Sequence, residues 1–127
     1  KSAQPLTSTL GVIMDLDGLV TSMRHTSNDP VVLRLCELLA QWKNSDSNVH
    51  ELESLIEHYI GNTWIANDTD HKEIYRLWSE FRDDAVRGIH GMTMNERLFC
   101  FSLLPRFDSA NTDQQRKALY AKLLANP

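Results

Sequence analysis

A chain of 127 residues is the usual length of one domain, and a composition of 42% hydrophobic and 24% charged residues argues against a disordered chain. Residues 1–63 carry four basic and eight acidic side chains, whereas residues 64–127 carry nine of each, so the net charge of −4 lies in the first half. Because nucleic-acid binding requires a basic surface, no nucleic-acid partner is expected, whereas a basic protein partner is compatible with this charge. No run of about 18 apolar residues is present, so no membrane-spanning helix is expected.

The residue types favour helices, since glycine (5) and proline (4) are scarce. The expected fold is all-α, a compact bundle of five or six helices. Residues 1–7 are expected to form a flexible tail, and residues 8–127 a single helical domain. Cys36 and Cys100 each lie in an apolar helical stretch, which indicates buried free thiols and a reducing, cytoplasmic location.

The first predicted helix covers residues 8–24. Its apolar side chains fall within one narrow arc of a helical projection, which is typical of an amphipathic helix. Asp15 and Asp17 fall on the opposite face and are therefore expected to be exposed to solvent. The apolar side chains of the arc are Leu10, Val12, Ile13, Leu16, Leu19, Val20 and Met23.

The segment Val12–Val20 also resembles the first motif of haloacid-dehalogenase-type phosphotransferases. In that family a buried strand delivers two carboxylates that act with Mg²⁺ on a phosphate group. The resemblance implies that Asp15 is the nucleophile and Asp17 the general acid and base. A phosphotransferase fragment is therefore kept as an alternative function, and it requires a strand at residues 10–15.

Two further helices are predicted by their caps. Asp29 followed by Pro30 is typical of a helix start, since aspartate suits the N-cap and proline suits the first turn. Asn48 with Glu51 three residues later predicts a capping box at the start of the next helix. Gly61 is placed to end that helix, whose inner face is expected to carry Leu52, Leu55, Ile56, Tyr59 and Ile60.

The strongest apolar stripe of the chain predicts a fourth helix, capped by Asp68 or Thr69. Trp78 and Phe81 are the largest side chains of this stripe, and they are expected to lie in the core. The stripe consists of Ile74, Leu77, Trp78, Phe81, Ala85 and Ile89.

Two helices are predicted near the end of the chain. Thr93 and Glu96 predict a capping box for the fifth helix, which Pro105 is expected to end or kink. Asn111 or Thr112 is expected to begin the last helix, with Leu119, Leu123 and Leu124 facing inward.

The segment Met92–Leu98 resembles a Met-Thr-x-Asn-Glu-Arg-Leu segment found near the end of many small bacterial proteins of unassigned role. The resemblance implies no particular chemistry. Within it, Arg97 is expected to pair with an acidic helix nearby. No complete catalytic set, metal-ligand spacing or phosphate-binding loop is recognisable, so no catalytic residue, metal or cofactor is expected.

The predicted function is that of a non-enzymatic protein-binding module. A bacterial immunity-type inhibitor that neutralises a toxin is one form of this prediction, and a structural subunit of a larger assembly is a second alternative. Glu53 and Glu57 share a helix face, and their like charges would be relieved by a basic partner. The expected partner-binding residues are Asp46, Glu51, Glu53, Glu57 and Trp64.

Overall fold

Residues 14–127, the part of the chain that the computed structural model describes, form seven α-helices and contain no strand. The all-α prediction is therefore confirmed, with seven α-helices in place of the five or six expected. A π-helical turn at Arg82–Val86 and a 3₁₀ turn at Ile89–Gly91 follow the fourth helix. The helices are α1 (Leu16–Thr26), α2 (Pro30–Asn44), α3 (Val49–Gly61), α4 (Asp68–Phe81), α5 (Met94–Cys100), α6 (Leu104–Asp108) and α7 (Asp113–Lys122).

The start of α1 differs from the prediction. Asp15 has an extended backbone and is the N-cap, and its carboxylate accepts a hydrogen bond of 2.8 Å from the Gly18 amide. Met14 and Asp15 are thus not helical, while the predicted helical residues 8–13 and the tail 1–7 lie outside the described residues. Asp17 is exposed as predicted, but Asp15 is half-buried because its side chain closes the first turn.

The caps of α2, α3 and α5 are the predicted ones, whereas that of α4 is not. Asn48 and Thr93 both form the predicted capping boxes, and Asp29 caps α2. The cap of α4 is Asn67 rather than Asp68 or Thr69, since the Asn67 side chain accepts from the backbone amide three residues later. Asp68 instead lies in the first turn, where a negative charge stabilises the amino end of a helix.

The core forms where α1 packs against α2 and α4. Its centre is a chain of aromatic rings: Trp42 to Phe101 at 5.6 Å between centroids, Phe101 to Phe81 at 5.5 Å, and Phe81 to Trp78 at 6.2 Å. The prediction that Trp78 and Phe81 are core residues is confirmed. Leu55, which was expected to face inward from α3, is exposed, so that expectation is wrong.

The predicted fifth helix is two helices, because the chain turns sharply before Pro105. Ser102 has a φ of 56°, and the Leu103 amide donates to the Leu98 carbonyl at 2.8 Å. This is a Schellman ending, in which a residue in the left-handed region closes a helix. Pro105 then lies in the first turn of α6, where its missing amide is tolerated.

Arg97 is buried, and the expected acidic partner is wrong. Its guanidinium donates to the backbone carbonyls of Leu123 at 2.9 Å, Leu124 at 2.8 Å and Met92 at 3.1 Å. The carbonyls of Leu123 and Leu124 belong to the end of α7, so a cation from α5 satisfies the acceptors that this helix leaves open.

Lys122 is a second buried cation, only 3% exposed, that the sequence did not indicate. Its ammonium donates to the carbonyls of Trp42 at 2.6 Å, Ser47 at 2.7 Å and Ser45 at 2.8 Å, and lies 3.8 Å from the Trp42 ring centroid. Burial lowers the pKa of Lys122 to about 8, so the ammonium is still the major form at neutral pH. It therefore caps the carboxyl end of α2 from α7.

Candidate functional site

The acidic pair predicted for partner binding is used inside the domain. Glu53 and Glu57 lie on one face of α3, as their spacing predicts, but Glu53 accepts from Arg87 at 2.9 Å. Glu57 accepts from Arg82 at 2.9 Å and from the indole of Trp78. The repulsion that motivated the prediction is thus relieved by two arginines of the domain itself.

The pKa of Glu57 reflects these contacts. Burial acts to raise this pKa, but the hydrogen bonds from Trp78 and Arg82 outweigh burial and hold it below its ordinary value. Arg82 also donates to Asp83 at 2.9 Å within the π-helical turn, and its pair with Glu57 joins α3 to that turn. This cluster therefore has a structural role, because it connects α3 to the π-helical turn.

The other two acidic residues of the predicted surface are exposed. Asp46 lies in the loop between α2 and α3. The Glu51 carboxylate accepts from the backbone amide of Asn48 at 2.8 Å, and this bond completes the capping box of α3. Both carboxylates reach solvent, and Glu51 has a structural role in addition.

Trp64 is 65% exposed, the largest exposed fraction of any large hydrophobic side chain in residues 14–127. It lies in the loop between α3 and α4, and its ring stacks on that of His71 with centroids 4.5 Å apart and planes inclined by 30°. The loop is fixed on both sides of the ring. The Thr63 hydroxyl donates to the Tyr59 carbonyl at 2.7 Å, and the Ala66 amide donates to a carboxylate oxygen of Asp29 at 3.4 Å.

A small depression adjoins the His71 ring on which Trp64 stacks. Ile60, His71 and Tyr75 line this depression between α3 and α4, and Tyr75 is exposed. Ile60, Trp64, His71 and Tyr75 together are called the Trp64 surface below. The sequence identified Trp64 because it lies in a polar loop, outside every helical stripe, whereas His71 and Tyr75 could not be assigned to a surface before α4 was placed.

A second concave surface, a groove of about 610 Å³, lies between the start of α1, the end of α2 and the chain from Phe99 to Ser109. Lys43 forms an ion pair of 2.7 Å with Asp17, and the Asp17 amide donates to the Ser102 hydroxyl at 3.0 Å. Phe99 and Leu104 expose apolar surface beside them. The sequence did not predict this groove, since Asp17 and Ser102 are 85 positions apart.

Asp15 and Asp17, the two aspartates of the phosphotransferase resemblance, both line this groove. Asp15 is a helix cap, and Asp17 is paired with Lys43. Of the strand that the resemblance implies at residues 10–15, residues 10–13 lie outside the described residues and residues 14 and 15 are not in a strand; residues 14–127 contain no sheet. Within residues 14–127 no three His, Cys, Asp or Glu side chains are arranged to hold a metal ion. None of the helices in this range has the length and apolarity that crossing a membrane requires.

Three polar side chains of the segment Met92–Leu98 have structural roles. Thr93 and Glu96 form a capping box, and Arg97 binds the end of α7. Its likeness to a segment of small bacterial proteins therefore stays a resemblance. No protein-family model, no curated protein and no solved structure matches this chain.

Proposed function

We propose that this chain is a protein-binding module whose contact surface is centred on Trp64. The observation that carries the proposal is a tryptophan ring that is 65% exposed and stacked on His71. Tryptophan is among the residues most enriched at the centres of protein interfaces, where its large ring enters a pocket of the partner. Exposure of so large an apolar ring to water is unfavourable unless a partner covers it.

The fixed loop supports the proposal further. Stacking on His71 and the bonds of Thr63 and Ala66 hold the ring in place. A side chain that is ordered before binding loses less conformational entropy when a partner covers it. The Trp64 surface is therefore prepared for contact rather than assembled by it.

The four acidic residues predicted for partner binding do not contribute equally to this proposal. Glu53 and Glu57 are left out because Arg87 and Arg82 already neutralise them. Asp46 and Glu51 lie at the other end of α3, and a helix of 13 residues is about 20 Å long. They would contact the partner only at an interface larger than the standard size of about 800 Å² per partner.

A toxin-neutralising inhibitor of bacterial immunity type is the more specific form of this proposal. Small size and an acidic first half support it, since a small acidic protein is suited to cover a basic surface. Two buried free thiols are consistent with a reducing location such as the cytoplasm. A neighbouring gene that encodes a toxin would support this form, and a neighbour encoding subunits of one assembly would favour a structural role.

Affinity capture from the source organism tests the proposal with three forms of the chain: wild type, Trp64→Ala and Phe99→Ala. Phe99 is the matched control because it is an exposed aromatic side chain in the groove, away from the Trp64 surface. A partner should be retained by wild type and Phe99→Ala. Trp64→Ala should weaken its binding by about 30-fold or more, as expected for a central interface residue. A partner that binds Trp64→Ala as tightly as wild type would contradict the proposal.

A further inference from the structure

The ring of His71, on which Trp64 stacks, has one nitrogen whose hydrogen bond the described residues do not supply. This atom, Nδ1, is shielded from solvent and has no partner within residues 14–127. The other nitrogen, Nε2, is not shielded in this way. Because buried polar atoms are nearly always hydrogen-bonded, either to protein or to an ordered water, Nδ1 requires a partner from outside the chain.

The depression that His71 lines has room for one water molecule. It offers about 10 Å³ to the centre of a water-sized sphere, which is close to the space that a single water needs. An apolar occupant would leave Nδ1 unsatisfied, and a larger polar one would not fit. Tyr75 of the same lining is exposed, and its hydroxyl accepts from Arg82 at 3.4 Å. The apolar part of the lining consists of Val31, Leu35, Ile60, Ile65 and Ile74.

Two further hydroxyl groups of this lining have already used their protons. The Tyr59 hydroxyl donates to the Val31 carbonyl at 2.8 Å, and the Thr63 hydroxyl donates to the Tyr59 carbonyl at 2.7 Å. Each oxygen keeps lone pairs and is therefore an acceptor. A water molecule has two protons to donate, so it would donate to Tyr59 and Thr63 and accept a proton donated by His71.

We infer that a single water molecule is bound between His71, Tyr59 and Thr63, and that it holds His71 in the tautomer with its proton on Nδ1. Nε2 then carries a lone pair on the solvent side of the ring, and this makes it an acceptor next to Trp64. The inference rests on the proposed function in one respect, since it names an N–H or O–H donor as the group of the partner that meets Nε2.

A long-range ¹H–¹⁵N spectrum of the chain tests the tautomer, because it distinguishes a protonated ring nitrogen from an unprotonated one. The spectrum is recorded at alkaline pH, where imidazole rings are neutral, and the signals of His71 are assigned by their absence in His71→Gln. The expected result is a protonated Nδ1 and an unprotonated Nε2. A proton on Nε2 would overturn the inference. A water-selective nuclear Overhauser experiment should also detect a long-lived water beside the ring, and its absence would overturn the inference as well.

Two threonine variants test the water bridge. Thr63→Val removes one acceptor of the water and keeps the shape of the side chain. Thr26→Val is the matched control, because the Thr26 hydroxyl also donates to the carbonyl four residues earlier, that of Ser22 at 2.9 Å, but does not line the depression. The ratio of the Nδ1 to the Nε2 tautomer should fall about twofold or more in Thr63→Val, as expected for the loss of one hydrogen bond. Equal ratios in the two variants would contradict the bridge, and the wild-type spectrum decides the tautomer without either variant.

The proposed function is judged separately by the capture experiment. With a captured partner at saturating concentration, the Nε2 signal of His71 should move as the partner donates to it. A partner that is lost from Trp64→Ala but leaves this signal unchanged would leave the proposed function standing and overturn the donor inferred here.

Discussion

Replacing Lys122 with methionine tests whether a buried ammonium joins the last helix to the rest of the domain. The Ser47 carbonyl would lose its donor, at a cost of about 1–3 kcal/mol. The carbonyls of Trp42 and Ser45 would keep other donors, from the Ser45 amide at 3.1 Å and from Arg106 at 3.4 Å. Losing the cation over the Trp42 ring adds about 1 kcal/mol, and relief from burying a charge offsets part of the sum. The expected net loss is about 2–3 kcal/mol in the free energy of unfolding.

Urea unfolding followed by far-ultraviolet circular dichroism measures this loss. Lys117→Met is the matched control, because Lys117 is exposed on the same helix, and it should change stability by less than about 0.5 kcal/mol. Amide hydrogen exchange should also become faster in α7 of Lys122→Met, since the helix loses a main attachment. Equal stability of the two variants would refute the role assigned to Lys122.

Three further predictions concern pH, backbone packing and thiol access. Hydrogen bonds hold the pKa of Glu57 below its ordinary value despite burial. The stability that the Glu57 carboxylate contributes is therefore present above the ordinary pKa and is lost as the pH falls through the lowered pKa. Glu57→Gln should show a weaker acid dependence of stability in a circular dichroism titration. A Cβ on Gly88 would lie 2.5 Å from the Asp84 carbonyl oxygen, so Gly88→Ala should lose about 1–3 kcal/mol in chemical unfolding, whereas Gly91→Ala, with no atom within 4 Å, should change little. Burial raises the pKa of the Cys100 thiol to about 11, so native protein should react with a thiol reagent only as it unfolds, and rapid labelling would contradict the burial.

The starts of α2, α3 and α5 could be predicted because their signals are local. A capping box such as that of Asn48 and Glu51 joins residues three positions apart, and its chemistry is complete within one turn. The end of α5 was not predictable in the same way, since Ser102 occupies a left-handed position that glycine usually fills. The sequence therefore contained no glycine to mark the extra helix boundary.

The candidate site was predictable only in part, for a related reason. Trp64 could be identified as a loop residue from its neighbours alone. The partners of Glu57 and Glu53 could not be identified in this way, because Arg82 and Arg87 follow them by 25 and 34 positions. The arginines reach the two glutamates only through the packing of α3 against the π-helical turn. Acidic residues that the sequence suggests are available to a partner can thus be neutralised by the fold.

Collisional quenching of tryptophan fluorescence by acrylamide tests the central role of Trp64 most directly. Trp42 is 2% exposed and Trp78 is fully buried, so Trp64 is the ring that the quencher reaches. With a purified partner at saturating concentration, the quenching constant should fall to that of the Trp64→Phe variant. A complex that forms while the quenching constant keeps its unbound value would show that the partner binds elsewhere and would contradict the account.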